Sequence, residues 1–319
     1  MQRANHLTFK EQQQGFLGSI GLVFQHSIGS YRRSSVLYGG CYRCPREPLM
    51  SPSLTPRLVA CDLDGTIIRS DGTISARTVA AFERIGQAGA RFVFVTGRPP
   101  RLMDAVAKAF CHQGTAICAN GALFYDLYHE KVIDEHLIPP AHLAEAARLL
   151  RSTVGGIGLA VEYADELAGD ARYEPGAWDV GVTLQRLSDP ELFGRPAPKL
   201  LGRHQVLSAD ELLQIAAPVL AGIVTVYHSN GIRLIEATAA GVSKASALAD
   251  LAARGDIDPA DAVAFGDMPN DLPMLAWAGT SYGVANAHPD VLAAVDRVIG
   301  ANDDDGVAEV LEQLFPVPS

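Results

Sequence analysis

The feature that most constrains this chain is an alternation that begins at residue 57. Leu58-Val59-Ala60-Cys61 is a short apolar run, and residues 75–88 place Val79, Phe82 and Ile85 on one side of a helix that closes near Gly89. Arg91-Phe92-Val93-Phe94-Val95 is a second apolar run, followed by a helical stretch over 100–109 and a third run over 115–119. Short apolar runs bounded by turn residues suit strands buried on both faces. Strands joined through helices run parallel, because each crossover carries the chain back to the end of the sheet at which the previous strand began. The pattern therefore predicts an α/β fold with a doubly wound parallel sheet, whose site lies where the strands end.

The texture changes over 132–238. A helix is expected at 140–150, a strand at 158–163, a Pro/Gly-rich stretch at 173–198 and another helix at 209–220. A hairpin should pair 223–228 with 232–237 around Ser229-Asn230-Gly231, since Asn-Gly is a strong turn signal. This reads as an α+β module inserted into the first domain. The doubly wound pattern resumes with a helix at 244–254, a strand at 262–265 and a helix from 271. The expected division is a core domain over 56–131 and 239–319 and an inserted domain over 132–238. Residues 1–55 are rich in Gln, Ser, Arg and Gly and lack a sustained period, so they read as a disordered leader or a start assigned too early, with Met50 as the alternative start.

Charge narrows the partners. The net charge is −10, and residues 1–57 contribute +5, which leaves −15 on the remainder. An acidic body without a basic face argues against nucleic acid. No apolar run is long enough to span a bilayer, which argues against a membrane. Five cysteines in a chain of this length do not make a disulfide framework. Cys61 and Cys118 lie in apolar runs, and Cys41 with Cys44 forms a lone C-x-x-C without a second ligand pair. A reducing cytoplasm fits this usage.

The chemistry concentrates at strand ends. Asp62-Leu63-Asp64-Gly65-Thr66 closes the first strand. One carboxylate of such a pair can attack phosphorus, and the other can move the proton of the leaving oxygen. Thr96-Gly97 closes the second strand and opens a helix, where a hydroxyl and backbone N–H groups can hold phosphate oxygens. Lys244, in Gly241-Val242-Ser243-Lys244, starts a helix and offers a cation to the nucleophile and the phosphoryl group. Gly266-Asp267-Met268-Pro269-Asn270-Asp271 follows the strand at 262–265, and carboxylates there suit magnesium, a hard cation that keeps several waters.

Taken in order, D-x-D-G-T, T-G-R, G-V-S-K and G-D-x-x-N-D resemble the motifs of the haloacid dehalogenase superfamily, most closely its Cof-type (type IIB) phosphatases. Asn120-Gly121-Ala122, the stretch Asn286-Ala287-His288-Pro289 and Asp305-Gly306-Val307 add to the resemblance, which runs from about residue 57 to the C-terminus. It implies that Asp62 is the nucleophile and Asp64 the general acid and later base. Thr96, Gly97, Lys244 and Asn270 would hold the phosphoryl group. Mg2+ would be bound by the Asp62 carboxylate, the Asp64 backbone carbonyl and Asp267, with Asp271 supporting. The implied reaction is hydrolysis of a small phosphorylated metabolite, a sugar phosphate or a phosphorylated cofactor such as pyridoxal phosphate or flavin mononucleotide. The 132–238 module would be the cap that selects it.

Three rival readings remain. Dehalogenases of the superfamily lack the second motif aspartate, so Asp64 points to phosphate chemistry. A phosphomutase would pass the phosphoryl group to a sugar hydroxyl in place of water. A non-catalytic phosphometabolite-binding module would be expected to have lost an aspartate, the lysine or a metal ligand, and all are present. Within the inserted module Glu162, Asp165, Glu166 and Asp170 could face the pocket, though a solvated face is the expectation, and His204 and His228 could contact a ligand, though satisfied or exposed histidines are commoner.

Overall fold

The computed structural model describes residues 55–317, apart from 177–178, 180–181 and 229–231. The expected leader, the Cys41/Cys44 pair, Met50 and the Ser229-Asn230-Gly231 turn thus lie outside the described residues. The strands form two sheets. The first has eight strands in the order β14-β13-β12-β1-β2-β3-β4-β5. These are β1 (Leu58–Cys61), β2 (Arg91–Val95), β3 (Thr115–Cys118), β4 (Leu123–Asp126), β5 (Lys131–Glu135), β12 (Ala262–Gly266), β13 (Thr280–Val284) and β14 (Arg297–Ile299). Strands β14 to β3 are parallel, and β4 and β5 add an antiparallel hairpin at one edge. The first sheet runs to Glu135, because the turn after Asp126 folds β5 back onto β4.

The second sheet has six strands in the order β10-β11-β9-β6-β7-β8. They are β6 (Gly158–Glu162), β7 (Leu167–Gly169), β8 (Gln185–Arg186), β9 (Lys199–Arg203), β10 (Val224–Tyr227) and β11 (Leu234–Ala239). All its pairings are antiparallel except β7 with β8. Helices Pro140–Thr153 and Ala209–Leu220 cover it, burying Leu143, Leu150, Leu212 and Leu220 against Leu159, Val161 and Ile235. Ala209–Leu220 begins at Ser208, whose side chain and that of Glu211 cap each other's backbone N–H groups.

Register places the site. Cys61 sits opposite both Phe94 and Phe265, so β1, β2 and β12 end level with one another. Beneath them Phe82, Phe92, Phe94 and Phe110 pack ring to ring, with centroids 4.8–5.5 Å apart around Phe82 and Phe94. Burial of each such side chain contributes about 1.5–3 kcal/mol, which fixes the strand ends in position.

One expected helix is broken. Residues 100–109 form a short turn, Pro100–Leu102, and then a helix, Asp104–Ala109. The backbone of the turn is engaged elsewhere: Arg101 N–H donates to Ala164 O (3.1 Å), and Leu102 O accepts from Arg98 Nη1 (3.1 Å). These bonds, the one to Ala164 tertiary and the one from Arg98 local, replace intrahelical ones. None of the described helices is long and apolar enough to cross a membrane.

Candidate active site

Asp62 leaves the end of β1 with its N–H bonded to Phe265 O (3.0 Å) and its side chain buried. Lys244 reaches it from the first turn of helix Lys244–Arg254, which Ser243 and Ser246 cap reciprocally. Lys244 Nζ donates to Asp62 Oδ1 and to Asp271 Oδ1, both at 2.6 Å. Burial alone would push the ammonium pKa down, but Asp271 and Asp62 outweigh it and hold Lys244 charged. The other oxygen of Asp271 accepts from the N–H groups of Asp267 and Met268 (3.0 Å each). Asp271 is thus fully engaged, fixing the lysine on one side and the Asp267 loop on the other.

Asp267 approaches Asp62 from the end of β12. Its Oδ1 accepts from Thr66 Oγ1 (3.0 Å), and its Oδ2 lies against Gly65. Burial first, and then the charges of Asp62 and Asp271, push the Asp267 carboxyl pKa well up. Burial likewise pushes Asp62 up to about 7; Lys244 opposes this, and Asp271 and Asp64 add to it. Carboxylate oxygens of Asp62, Asp267 and Asp271 lie within 4.8 Å of one another. Three buried carboxylates facing one lysine leave an excess of negative charge, and hard oxygen donors in that arrangement fit a magnesium ion.

Gly65 is required twice. Its φ of +76° favours glycine, and a Cβ there would overlap the Asp267 carboxylate. Gly65→Ala should therefore displace Asp267 and weaken Mg2+ binding at the carboxylate cluster by about tenfold or more, at a stability cost of about 1–3 kcal/mol. A calorimetric Mg2+ titration, with a urea melt alongside, would check this. A variant with unchanged apparent Mg2+ affinity would refute it.

The remaining motif residues lie around the same pocket, which Asp64, Gly97 and Asn270 line. Thr96 is fully buried at the end of β2, and its Oγ1 accepts from Arg98 N–H (3.1 Å). Asn270 Nδ2 donates to Asn120 Oδ1 (2.9 Å), while Asn270 Oδ1 is buried with no hydrogen-bond partner. Asp64 stands apart from the lysine: Arg98 Nε and Nη2 grip its two oxygens at 2.7 and 2.6 Å. This is a bidentate pair that fixes the carboxylate's orientation. The structure thus brings Asp62, Lys244, Asp267 and Asp271 into one cluster, with Asp64, Gly97 and Asn270 lining the pocket that opens from it.

Sequence reasoning assigned no role to Arg98, Asn120, Lys199 or Glu236, and it placed Glu162 on a solvated face. Glu162 is instead buried in the pocket wall. It pairs with Lys199 (2.7 Å) and Arg101 (2.7 Å) because β6 and β9 set Glu162 directly opposite Lys199. Asp170 is also buried but pairs with Arg151, away from the pocket; Asp165 is exposed, and Glu166 pairs with Arg195. Lys199 Nζ also donates to Glu236 Oε2 (2.6 Å) and to Gly97 O (2.8 Å). Asn120, at φ +54°, completes a chain from Asn270 to Glu236 (3.3 Å). His204 holds the turn at Val206 and Leu207, and His228 is buried against Asp210. The available signal for the pocket residues was a charge inside an otherwise apolar strand, as in Gly158-Leu159-Ala160-Val161-Glu162 and Leu234-Ile235-Glu236-Ala237.

The sequence profile of the haloacid dehalogenase-like hydrolases matches residues 59–311. The pyridoxal phosphate phosphatase YbhA of Escherichia coli is 25% identical over 290 residues, covering 81% of this chain and 98% of its own. A phosphoglycolate phosphatase of Halorubrum lacusprofundi is 30% identical over 257 residues, covering 80% and 96%. Among solved structures, the subclass IIB sugar phosphatase BT4131 aligns over 81% of this chain and 98% of its own, with a TM-score of 0.70 at 19% identity.

Proposed function

This chain belongs to the haloacid dehalogenase-like hydrolases of the Cof type and is a phosphoric monoester hydrolase, and from that premise we propose that it hydrolyses a small phosphorylated metabolite through an aspartyl-phosphate intermediate on Asp62, with Mg2+ as cofactor. The observation that carries this reading is the Lys244 ammonium held between Asp62 and Asp271, which ties the carboxylate at the end of β1 to the edge of an open pocket.

In this reading an Asp62 oxygen attacks phosphorus in line with the leaving oxygen. Asp64, oriented by Arg98, gives that oxygen its proton as the P–O bond breaks. The alcohol leaves, Asp64 takes a proton from water, and the water oxygen attacks the phosphoryl group and releases Asp62. Thr96, Gly97, Lys244 and the Nδ2 amide of Asn270 orient the phosphoryl oxygens by donating N–H and O–H groups to them. Asp62, Asp267 and the Asp64 carbonyl would hold Mg2+, with Asp271 behind them, and the ion would supply charge neutralisation at the phosphoryl oxygens. The six-stranded module acts as the cap that closes over the leaving group. The relatives act by name on substrates as different as pyridoxal phosphate and phosphoglycolate, so the pocket of this chain must decide its own.

The test is phosphate release from an aryl phosphate with Mg2+ and with chelator; no release from this or a panel of phosphomonoesters would overturn the proposal. Metal binding has its own readout. Asp62, and Asp267 in the same direction, carry folded-state pKa values raised above the ordinary carboxylate value. Their contribution to stability is fully present below the unfolded pKa and is lost as pH rises through about 7 for Asp62. Mg2+ competes with those protons, so it should raise the melting temperature more at about pH 8 than at about pH 5.5. Equal gains at the two pH values would place the ion elsewhere.

A further inference from the structure

Resting on the reading that Asp62 receives the phosphoryl group, we propose that the pocket takes phosphomonoesters whose leaving alcohol is neutral and hydroxyl-bearing, and rejects those that carry a second anionic group. Among the described residues that line the pocket, Arg98 and Lys199 are the cations beyond the phosphoryl site, and both are committed. An ammonium has three N–H bonds. Those of Lys199 go to Gly97 O, Glu236 Oε2 and Glu162 Oε2, at 2.8, 2.6 and 2.7 Å. Arg98 grips both oxygens of Asp64 and donates to Leu102 O.

Against them stand the carboxylates of Glu162, Asp179 and Glu236 in the same wall. Burial would push the Glu162 pKa up, but Lys199 and Arg101 outweigh it and keep it ionised. Arg101 and Arg203 lie outside the lining; each is paired on one side, with Glu162 (2.7 Å) and Asp179 (3.6 Å), while Arg101 Nε and Nη1 and Arg203 Nε are buried without a partner. A ligand carboxylate placed here would lose its water and meet like charges, with both cations of the lining already paired. Hydroxyl groups have the opposite fit. They donate, the glutamates and Asp179 accept, and Pro99, Leu102, Leu201 and Leu234 supply apolar faces for C–H groups. Exclusion by repulsion is an ordinary source of specificity.

The experiment uses matched pairs that differ only at the carbon farthest from the phosphate, CH2OH against carboxylate: glycerol phosphate with phosphoglycerate, and erythritol phosphate with phosphoerythronate. kcat/KM is measured on the wild-type protein, and Kd by calorimetry on Asp62→Asn with Mg2+ present. In both pairs the carboxylate member should be at least about tenfold worse by both measures. Leu102→Lys, at a half-buried position of the wall, should narrow that ratio by about fivefold or more by supplying the missing cation. Parity within the pairs, or a ratio unmoved in folded Leu102→Lys, overturns the charge selection alone. Absence of both turnover and binding for every member overturns the phosphoryl-site reading on which it rests.

Discussion

Asp62→Asn is expected to lower Mg2+-dependent phosphate release by at least about a thousandfold, the scale met when a nucleophile is removed from a group that acts as a unit. The amide keeps the shape and can still accept from Lys244, but it cannot displace an alcohol. The same change should not weaken the fold. Burial pushes the Asp62 pKa up to about 7, so in metal-free protein its ionisation opposes folding at higher pH. The variant should therefore melt at or above the wild-type temperature at about pH 8, and this advantage should shrink toward about pH 4, where both side chains are neutral. Phosphate release by mass-verified protein, with thermal melts in chelator at the two pH values, checks both parts. Activity within about tenfold of wild type would remove Asp62 from the reaction.

Lys244→Met should have the largest effect on stability. The lysine is 1% exposed and sits between two buried carboxylates, so its loss leaves Asp62 and Asp271 facing each other without a counter-charge. Removing one member of a buried ion cluster costs about 3–5 kcal/mol. The penalty should be greatest near neutral pH and smaller at about pH 5, because protonating the carboxylates relieves it. Turnover should fall with it, since Asp62 loses its fixed position. Urea denaturation at the two pH values measures the cost. A loss below about 1 kcal/mol at neutral pH would mean that the cluster rearranges without its lysine.

What the sequence made legible followed from distance along the chain. Asp62, Thr96, Asp267 and Asn270 each follow an apolar strand within a few residues, so a local pattern and a rule about strand ends were enough to place them near one another. Lys244 was legible through its place at a helix start. The pocket wall was not. Glu162, Lys199 and Glu236 meet only because of the registers of β6, β9 and β11, which depend on pairings between segments far apart in the chain. Read alone, Glu162 is a charge before a loop, which is usually solvated. The broken helix after Pro100 has the same origin: its propensity is local, but the bond from Arg101 to Ala164 is tertiary.

The hydrogen bond from Lys199 to the Gly97 carbonyl has a practical consequence for anyone who would retarget this enzyme. Gly97 follows Thr96 in the loop assigned here to the phosphoryl group, while Lys199 belongs to the wall assigned to the leaving group. Libraries built at Lys199, Glu162 or Glu236 would alter rate and selectivity together, so a screen on turnover would discard altered specificities as dead clones. Diversity placed at Leu102, Leu201 and Leu234 reaches the same pocket through side chains with no polar tie to that loop. These three positions are where a new substrate range is best sought, with Leu102, the half-buried one, first because Leu201 and Leu234 are also core side chains.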